Sequence, residues 1–513
     1  MDMPRTEKQL PSQDRSFFGH PRGLSTLFFT EMWERFSYYG LRPLLVLFMA
    51  AALAEGGFGV PREQASAIVG IYAACVYLAS LPGGWIADRL LGLRRAIMIG
   101  AVLISLGHIS ISFSSFIHTK VPFFLGLILI VLGTGLLKPN ISAIVGDLYP
   151  EGGARRDAGF SIFYMGINTG AFFGQLVTGF LGEKVGWHFG FGAAGVGMLI
   201  GLAWFAARSK STLGDLGTQP TRDPDPVKQR RSETIIKATL IGGLTVLVIV
   251  IVLAATGTIL LNPKSIGAYM TYVLVGVAVV YFGYIFIFGG LTGDEKKRVG
   301  VIFILFVFAA IFWAAFEQAP TSLNLFAKDF TNRSLLGWEI PATWFQSVNS
   351  AFIILFAPIF AALWLAMARR GMELSSPTKF AIGLLLAGVG FAVMIFAANI
   401  VVRSNGVIKV SFLWLTISYL FQTLGELSLS PVGLSSMTKL SPRKYVGQMM
   451  GIWFLASSVG NLIAGLVGGR VNPEELGQMP ILFIGTTAAL VVSGLLLLAL
   501  TPLIRKLIPA EAK

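Results

Sequence analysis

Fourteen apolar runs follow one another along this chain, at about 23–52, 64–87, 95–116, 121–148, 156–181, 187–207, 235–260, 267–290, 299–327, 342–368, 377–402, 409–439, 445–468 and 478–504. A helix needs about 20 apolar residues to cross ~30 Å of hydrocarbon, and nearly every run meets that length. Backbone in lipid must satisfy its own hydrogen bonds, so the runs are expected to be helices and the fold class an all-α membrane protein with 14 transmembrane helices. Runs well beyond 25 residues must tilt, kink or project. Only 13% of the 513 residues are charged, about half the share of a soluble domain.

The net charge of +14 could suggest a nucleic-acid partner, but its placement points to the membrane. With an even number of spans both termini share one side. Most of the 40 Lys and Arg gather there, among them Lys8, Arg15, Arg22, Arg155, Arg208, Arg230, Arg369 and Arg443. By the positive-inside rule that side is cytoplasmic, which predicts a multi-pass protein of the cell (inner) membrane with both termini inside. Residues 1–22 lack the apolar core of a signal peptide, so the first span is expected to direct its own insertion. Cys75 is the single cysteine and lies in mid-span, which excludes a disulfide framework and a cysteine metal site. The four histidines (His20, His108, His118, His188) are scattered, and no HExxH, phosphate loop or Ser/His/Asp pattern occurs. No enzyme, metal or cofactor is expected.

Six runs precede a polar stretch, two follow it, DEKKR at 294–298 closes the pair, and six more finish the chain. The expected domains are a six-helix bundle over 1–207, a solvated cytoplasmic linker over 208–234, an extra helix pair over 235–290 and a second six-helix bundle over 291–513. Equal helix counts on either side suggest pseudo-symmetric halves, although no strong sequence repeat is visible. A structural role is the default for the extra pair.

The informative residues are ionisable groups within spans: Glu31, Glu34, Arg35, Arg42, Lys138, Glu317 and Glu426. Each costs about 2.5–3.5 kcal/mol at the bilayer centre, so it should face the protein interior and mark a pathway. In the first span Glu31, Glu34, Arg35, Tyr38 and Arg42 fall within about 100° of helical arc. Closely placed carboxylates hold a proton more readily than one alone, which suits proton carriage. A static ion-pair cluster that fixes helix packing would use the same residues. Pro139 directly after Lys138 is expected to mark a local break. The basic Arg42 and Lys138 of the first half could pair with the acidic Glu317 and Glu426 of the second, either as gates or as fixed bridges. Tyr72, Tyr77, Tyr164, Asn168, Trp313, Gln346, Asn349 and Trp453 could supply pocket walls. Both signs of charge with aromatic walls suit a zwitterion.

Between the second and third spans stands GGWIADRLLGLRR, in which Gly84, Asp88, Arg89, Gly92, Arg94 and Arg95 fit the short cytoplasmic loop of major facilitator transporters. Asp88 is expected to bond a neighbouring helix end there.

The motifs together resemble the proton-dependent oligopeptide transporter family, prokaryotic type, within that superfamily. ExxERFxYY occurs as Glu31, Glu34, Arg35, Phe36, Tyr38 and Tyr39; GTGLLKPN (133–140), DAGFSIFYMGINTGA (157–171), FEQ (316–318), WFQSVN (344–349) and GELSLSP (425–431) follow in order. The resemblance implies the major facilitator fold, two six-helix bundles plus two extra helices, importing di- and tripeptides by alternating access. Protons would be the coupling ion, short peptides and the lipid bilayer the partners, and a monomer the expected state. It implies that Glu31, Glu34, Arg35 and Glu317 couple protons, that Arg35 and Lys138 hold the peptide carboxylate, and that Asn349 and Glu426 hold its amino terminus. Tyr38, Tyr39, Tyr77, Asn168 and Trp453 would line the pocket, and Arg42–Glu317 and Lys138–Glu426 would be gating pairs. Many bacterial members carry a second acid where this chain has Phe316. A drug, nitrate or nucleoside cargo is the alternative on the same fold.

Overall fold

The computed structural model describes residues 14–117, 119–151, 153–220, 225–372 and 374–507. Lys8, His118 and part of the linker therefore lie outside the described residues. Fourteen long helices occupy the fourteen apolar runs: α1 Arg22–Ala50, α2 Arg62–Ile86, α3 Leu93–Ile117, α4 Val121–Asp147, α5 Gly153–Phe180, α6 Trp187–Leu213, α7 Pro226–Ala255, α8 Pro263–Phe288 and α9 Gly293–Phe316, then α11 Trp344–Arg369, α12 Ser376–Arg403, α13 Leu413–Leu440, α14 Val446–Gly468 and α15 Gln478–Leu507. A short helix, α10 (Asn324–Phe330), stands between α9 and α11. The only strands among the described residues are two-residue pairs, Thr331–Asn332 with Val410–Ser411 and Ser334–Leu335 with Trp338–Glu339.

Helix limits follow local chemistry. Asp225 and Asn262 cap α7 and α8 through their side-chain oxygens, each followed by a proline at the first helical position, where a missing N–H costs nothing. Thr292 and Glu295 form a reciprocal capping box at α9. The polar linker is shorter than its composition suggests, because α6 runs to Leu213 and α7 starts at Pro226. The run at 299–327 is not one helix: α9 ends at Phe316, Glu317 and Gln318 form a turn, and a π-helical segment Ala319–Leu323 leads into α10. Pro320 has no N–H to continue the α ladder.

Pro139, by contrast, breaks nothing, since α4 passes through it without interruption. The carbonyl that loses its helical partner is Gly135 O. Gly83 of α2 lies against that oxygen so closely that a Cβ there would come within 1.9 Å of it. Membrane helices tolerate proline where a neighbour covers the freed group in this way.

Eleven of the helices are long and apolar enough to span a membrane by composition. The three that fall short, α1, α5 and α13, carry the candidate site residues Glu31, Glu34, Arg35, Asn168 and Glu426. The polar cost is thus concentrated in the helices that hold the site.

The helices group into two compact units, one with the chain up to Gly40, Ala79–Gly174 and Phe191–Leu260, the other with Leu41–Leu78, Gln175–Gly190 and the chain from Leu261 onward. In the first, α3 packs antiparallel on α4 through Gly100 against Gly133 and Gly107 against Gly126; a Cβ at Gly133 would meet Gly100 O at 2.6 Å. In the second, α12 packs on α13 through Gly383 against Gly425 and Gly390 against Ser418. All four helices place these small residues seven apart. The same close-packing device occurs in each unit, a repeat too sparse to see without knowing which helices touch. In the second unit α8 packs on α14, with Tyr281 donating to Gln448 at 2.7 Å and Tyr445 donating to Gly289 O at 3.0 Å. The apolar side chains of α7 (Ile241, Val246, Val252) are exposed, as lipid-facing residues are.

Candidate functional site

In the first unit, α1 brings its ionisable residues to one buried face. Arg35 Nε stands 3.0 Å from Glu31 Oε1 and also pairs with Glu34, and the three side chains are at most 2% exposed. Helical spacing makes this meeting possible, since residues three and four apart share a face. The Arg35 guanidinium lies over the rings of Tyr38 (5.2 Å) and Tyr39 (6.0 Å). Lys138 on α4 is near enough for its charge to act on Glu31. One guanidinium thus serves two carboxylates, and Glu31 Oε2, Glu34 Oε1 and Arg35 Nη2 have no hydrogen-bond partner among the described residues. Burying charge this way is costly unless each group is paired, so the cluster is sensitive to any added anion or proton. Asn168 on α5 is buried and donates to its own helix at Tyr164 O (3.0 Å), while Tyr164 is exposed.

In the second unit, Arg42, two turns further along α1, pairs with Glu317 at 2.5 Å and donates to Asn461 Oδ1 at 3.3 Å. The turn at the end of α9 places Glu317 there, and Phe316 beside it stacks on Phe312 rather than presenting an acid. Asn349 on α11 donates to Glu426 Oε2 at 3.2 Å and to Thr423 at 2.9 Å, both on α13. The charge of Glu317 also acts on Glu426. Tyr77 stacks on Phe454 at 6.4 Å. Trp453 is buried, its ring pressed on Gly433, where a Cβ would come within 2.1 Å of it, and edge-on to Phe380. Lys138 belongs to the first unit and Glu426 to the second.

The loop after α2 is a π-helical turn, Ala87–Leu91, closed by Gly92 at φ +79°. Here the structure corrects one expectation. The residue that bonds a helix end is Arg94, whose guanidinium donates to Gly214 O (2.7 Å) and Ser209 Oγ (3.2 Å) at the end of α6. Asp88 is exposed, with Arg89 and Asp147 as its charged neighbours. Arg95 is exposed. Gly84 has room for a side chain, whereas its neighbour Gly83 has none.

Sequence reasoning passed over several residues. Asn324 donates to Pro43 O at 2.7 Å, and Arg62 pairs with Asp329. Glu183, at the corner between α5 and α6, accepts from Ala342 N (2.9 Å), Thr343 N (2.9 Å) and Thr343 Oγ1 (2.8 Å), with Arg333 at 3.8 Å. In sequence Glu183 reads as an ordinary loop charge. Only the partner segment, about 160 positions away, shows that it caps the start of α11.

Residues 94–479 match the POT family. The chain is 50% identical to the peptide transporter YePEPT of Yersinia enterocolitica, covering 96% of each chain. It is 36% identical to a di-/tripeptide transporter of Lactococcus lactis, covering 98% of this chain and 99% of that one. A crystal structure of a peptide transporter POT in complex with sulfate superposes with a TM-score of 0.88 at 40% identity, over 98% of this chain and 99% of the other. With motifs, helices and near full-length similarity in agreement, this chain belongs to the POT family and is a membrane transporter, not an enzyme.

Proposed function

We propose that this protein imports di- and tripeptides across the cytoplasmic membrane, driven by protons, by alternating access between two six-helix bundles. The observation that carries the reading is the buried Glu31–Glu34–Arg35 cluster. Relatives named as peptide and di-/tripeptide transporters over nearly the full chain support the cargo.

Arg35 and Lys138 are the cations for the peptide carboxylate. An arriving carboxylate competes with Glu31 and Glu34 for Arg35, and a proton on either acid relieves the competition. Binding of peptide and of proton therefore favour each other, which is what symport requires. Asn349 and Glu426 supply the acceptors for the opposite end of the zwitterion, with Tyr38, Tyr39, Tyr77, Asn168 and Trp453 as pocket walls. Arg42–Glu317 ties the far end of α1 to the end of α9. In this reading that pair is one gate, and Lys138–Glu426 is the counterpart that forms in the opposite state. The basic loops and linker face the cytoplasm, with both termini, and the chain works as a monomer. Each positive charge carried inward gains about 2.3 kcal/mol per 100 mV of membrane potential, in addition to the pH gradient.

Purified protein in liposomes should accumulate labelled dialanine under an inward acid gradient and lose that accumulation with an uncoupler. Absence of gradient-driven uptake by folded protein would sink the reading. Displacement of uptake by tripeptides but not by nucleosides or nitrate separates it from the other cargoes of the wider superfamily.

A further inference from the structure

Thr423 makes two hydrogen bonds that together decide the chemistry of its neighbour. Its hydroxyl donates to Tyr419 O, one turn back on α13, at 2.7 Å. Having given its proton there, Thr423 Oγ1 can only accept, and it accepts Asn349 Nδ2 from α11 at 2.9 Å. The second N–H of that amide goes to Glu426 Oε2 at 3.2 Å. A primary amide has two N–H donors, so both are committed. The reverse orientation would set Asn349 Oδ1 against the Glu426 carboxylate and against an oxygen whose proton is already given. Asn349 Oδ1 consequently accepts nothing among the described residues and is not enclosed, and the same holds for Glu426 Oε1. Thr423 itself is fully buried.

We propose that Thr423 is the positioning residue that fixes the direction of the Asn349 amide, and so makes Asn349 Oδ1 and Glu426 Oε1 a paired acceptor selective for a primary ammonium. The proposal rests on the peptide-import reading for its ligand, the free amino terminus of a peptide. An amide oxygen and a carboxylate oxygen side by side match a group with three N–H donors and one positive charge, and they reject an acylated or absent amine.

The test compares Thr423→Val, which keeps the shape and removes the lone pair, with Thr423→Ser, which keeps the hydroxyl. In liposomes Thr423→Val raises KM for dialanine about tenfold while kcat stays within about a factor of two, the loss expected when a charged ligand's oriented hydrogen bond is no longer held. By calorimetry on purified protein without any gradient, its preference for dialanine over propionyl-alanine falls by roughly the same factor. Thr423→Ser restores both. Unchanged KM and selectivity in Thr423→Val would overturn the proposal. So would a loss of kcat without loss of selectivity, or a serine variant as impaired as the valine. If the valine protein does not accumulate, Thr423→Ala and Thr423→Cys carry the same comparison. Failure of wild-type uptake sinks peptide import itself, whereas the calorimetric selectivity reads Thr423 alone.

Discussion

Glu183 offers the sharpest perturbation, because its carboxylate answers three donors at once and is 3% exposed. Replacing it with alanine strands the N–H groups of Ala342 and Thr343, both fully buried. A buried donor without a partner costs about 1–3 kcal/mol. Losing a carboxylate at the start of a helix adds roughly 0.3–1 kcal/mol. Arg333 is not stranded, since it keeps Glu339 at 2.8 Å. The loss is therefore about 2–7 kcal/mol for the state in which the α5–α6 corner is seated on α11. Taking ~4 kcal/mol, an equilibrium moves by about 10³, which turns a 99:1 preference for the seated state into roughly 1:10. Spin labels on Val185 and Leu336, 53% and 100% exposed, in a Cys75→Ser background, read the separation directly by electron-spin resonance. Glu183→Ala should convert most of the short-distance population into a longer one. Glu183→Gln, which keeps one acceptor oxygen but turns an N–H toward a donor, should fall between. A folded Glu183→Ala protein with the wild-type distance distribution would refute the reasoning, because it would mean that the capping bonds carry no energy in that state.

Other outcomes follow from the same geometry. Glu34→Gln or Glu31→Gln should abolish gradient-driven uptake while leaving exchange across the membrane, and wild-type accumulation in either would remove that residue from proton coupling. Gly83→Ala should destabilise by more than about 3 kcal/mol, since its methyl would meet Gly135 O at 1.9 Å and neither backbone can yield; a normal melting temperature would contradict it. Outside the membrane, burial and the charge of Arg155 push the His20 imidazole below its usual value, and its Nδ1 lies 2.8 Å from Tyr149 Oη. The neutral form is favoured on folding, so this stabilisation is present above the ordinary imidazole range and fades as pH falls through it toward the lowered value. The drop in melting temperature between about pH 7.5 and 5 should accordingly be smaller in His20→Gln, and an identical slope would exclude the contact as a source.

The sequence alone determined the architecture, because hydrocarbon imposes one solution on every apolar run: a helix of spanning length. It also marked the costly residues, since charge within such a run is rare enough to be read singly. Helical arithmetic was enough to put Glu31, Glu34 and Arg35 on one face, where the structure has them within reach of one guanidinium. Tertiary structure decided what needs a partner far along the chain. Pairing of Arg42 with Glu317, the cap that Glu183 provides and the fixing of Asn349 by Thr423 join positions from 74 to 275 apart. No local pattern encodes such meetings. Glycine told the same story: Gly83 and Gly84 are identical neighbours in sequence, yet only Gly83 abuts the carbonyl that Pro139 leaves without a donor. Composition fixes what each helix costs in lipid, whereas the bond each polar atom makes depends on which helix packs beside it.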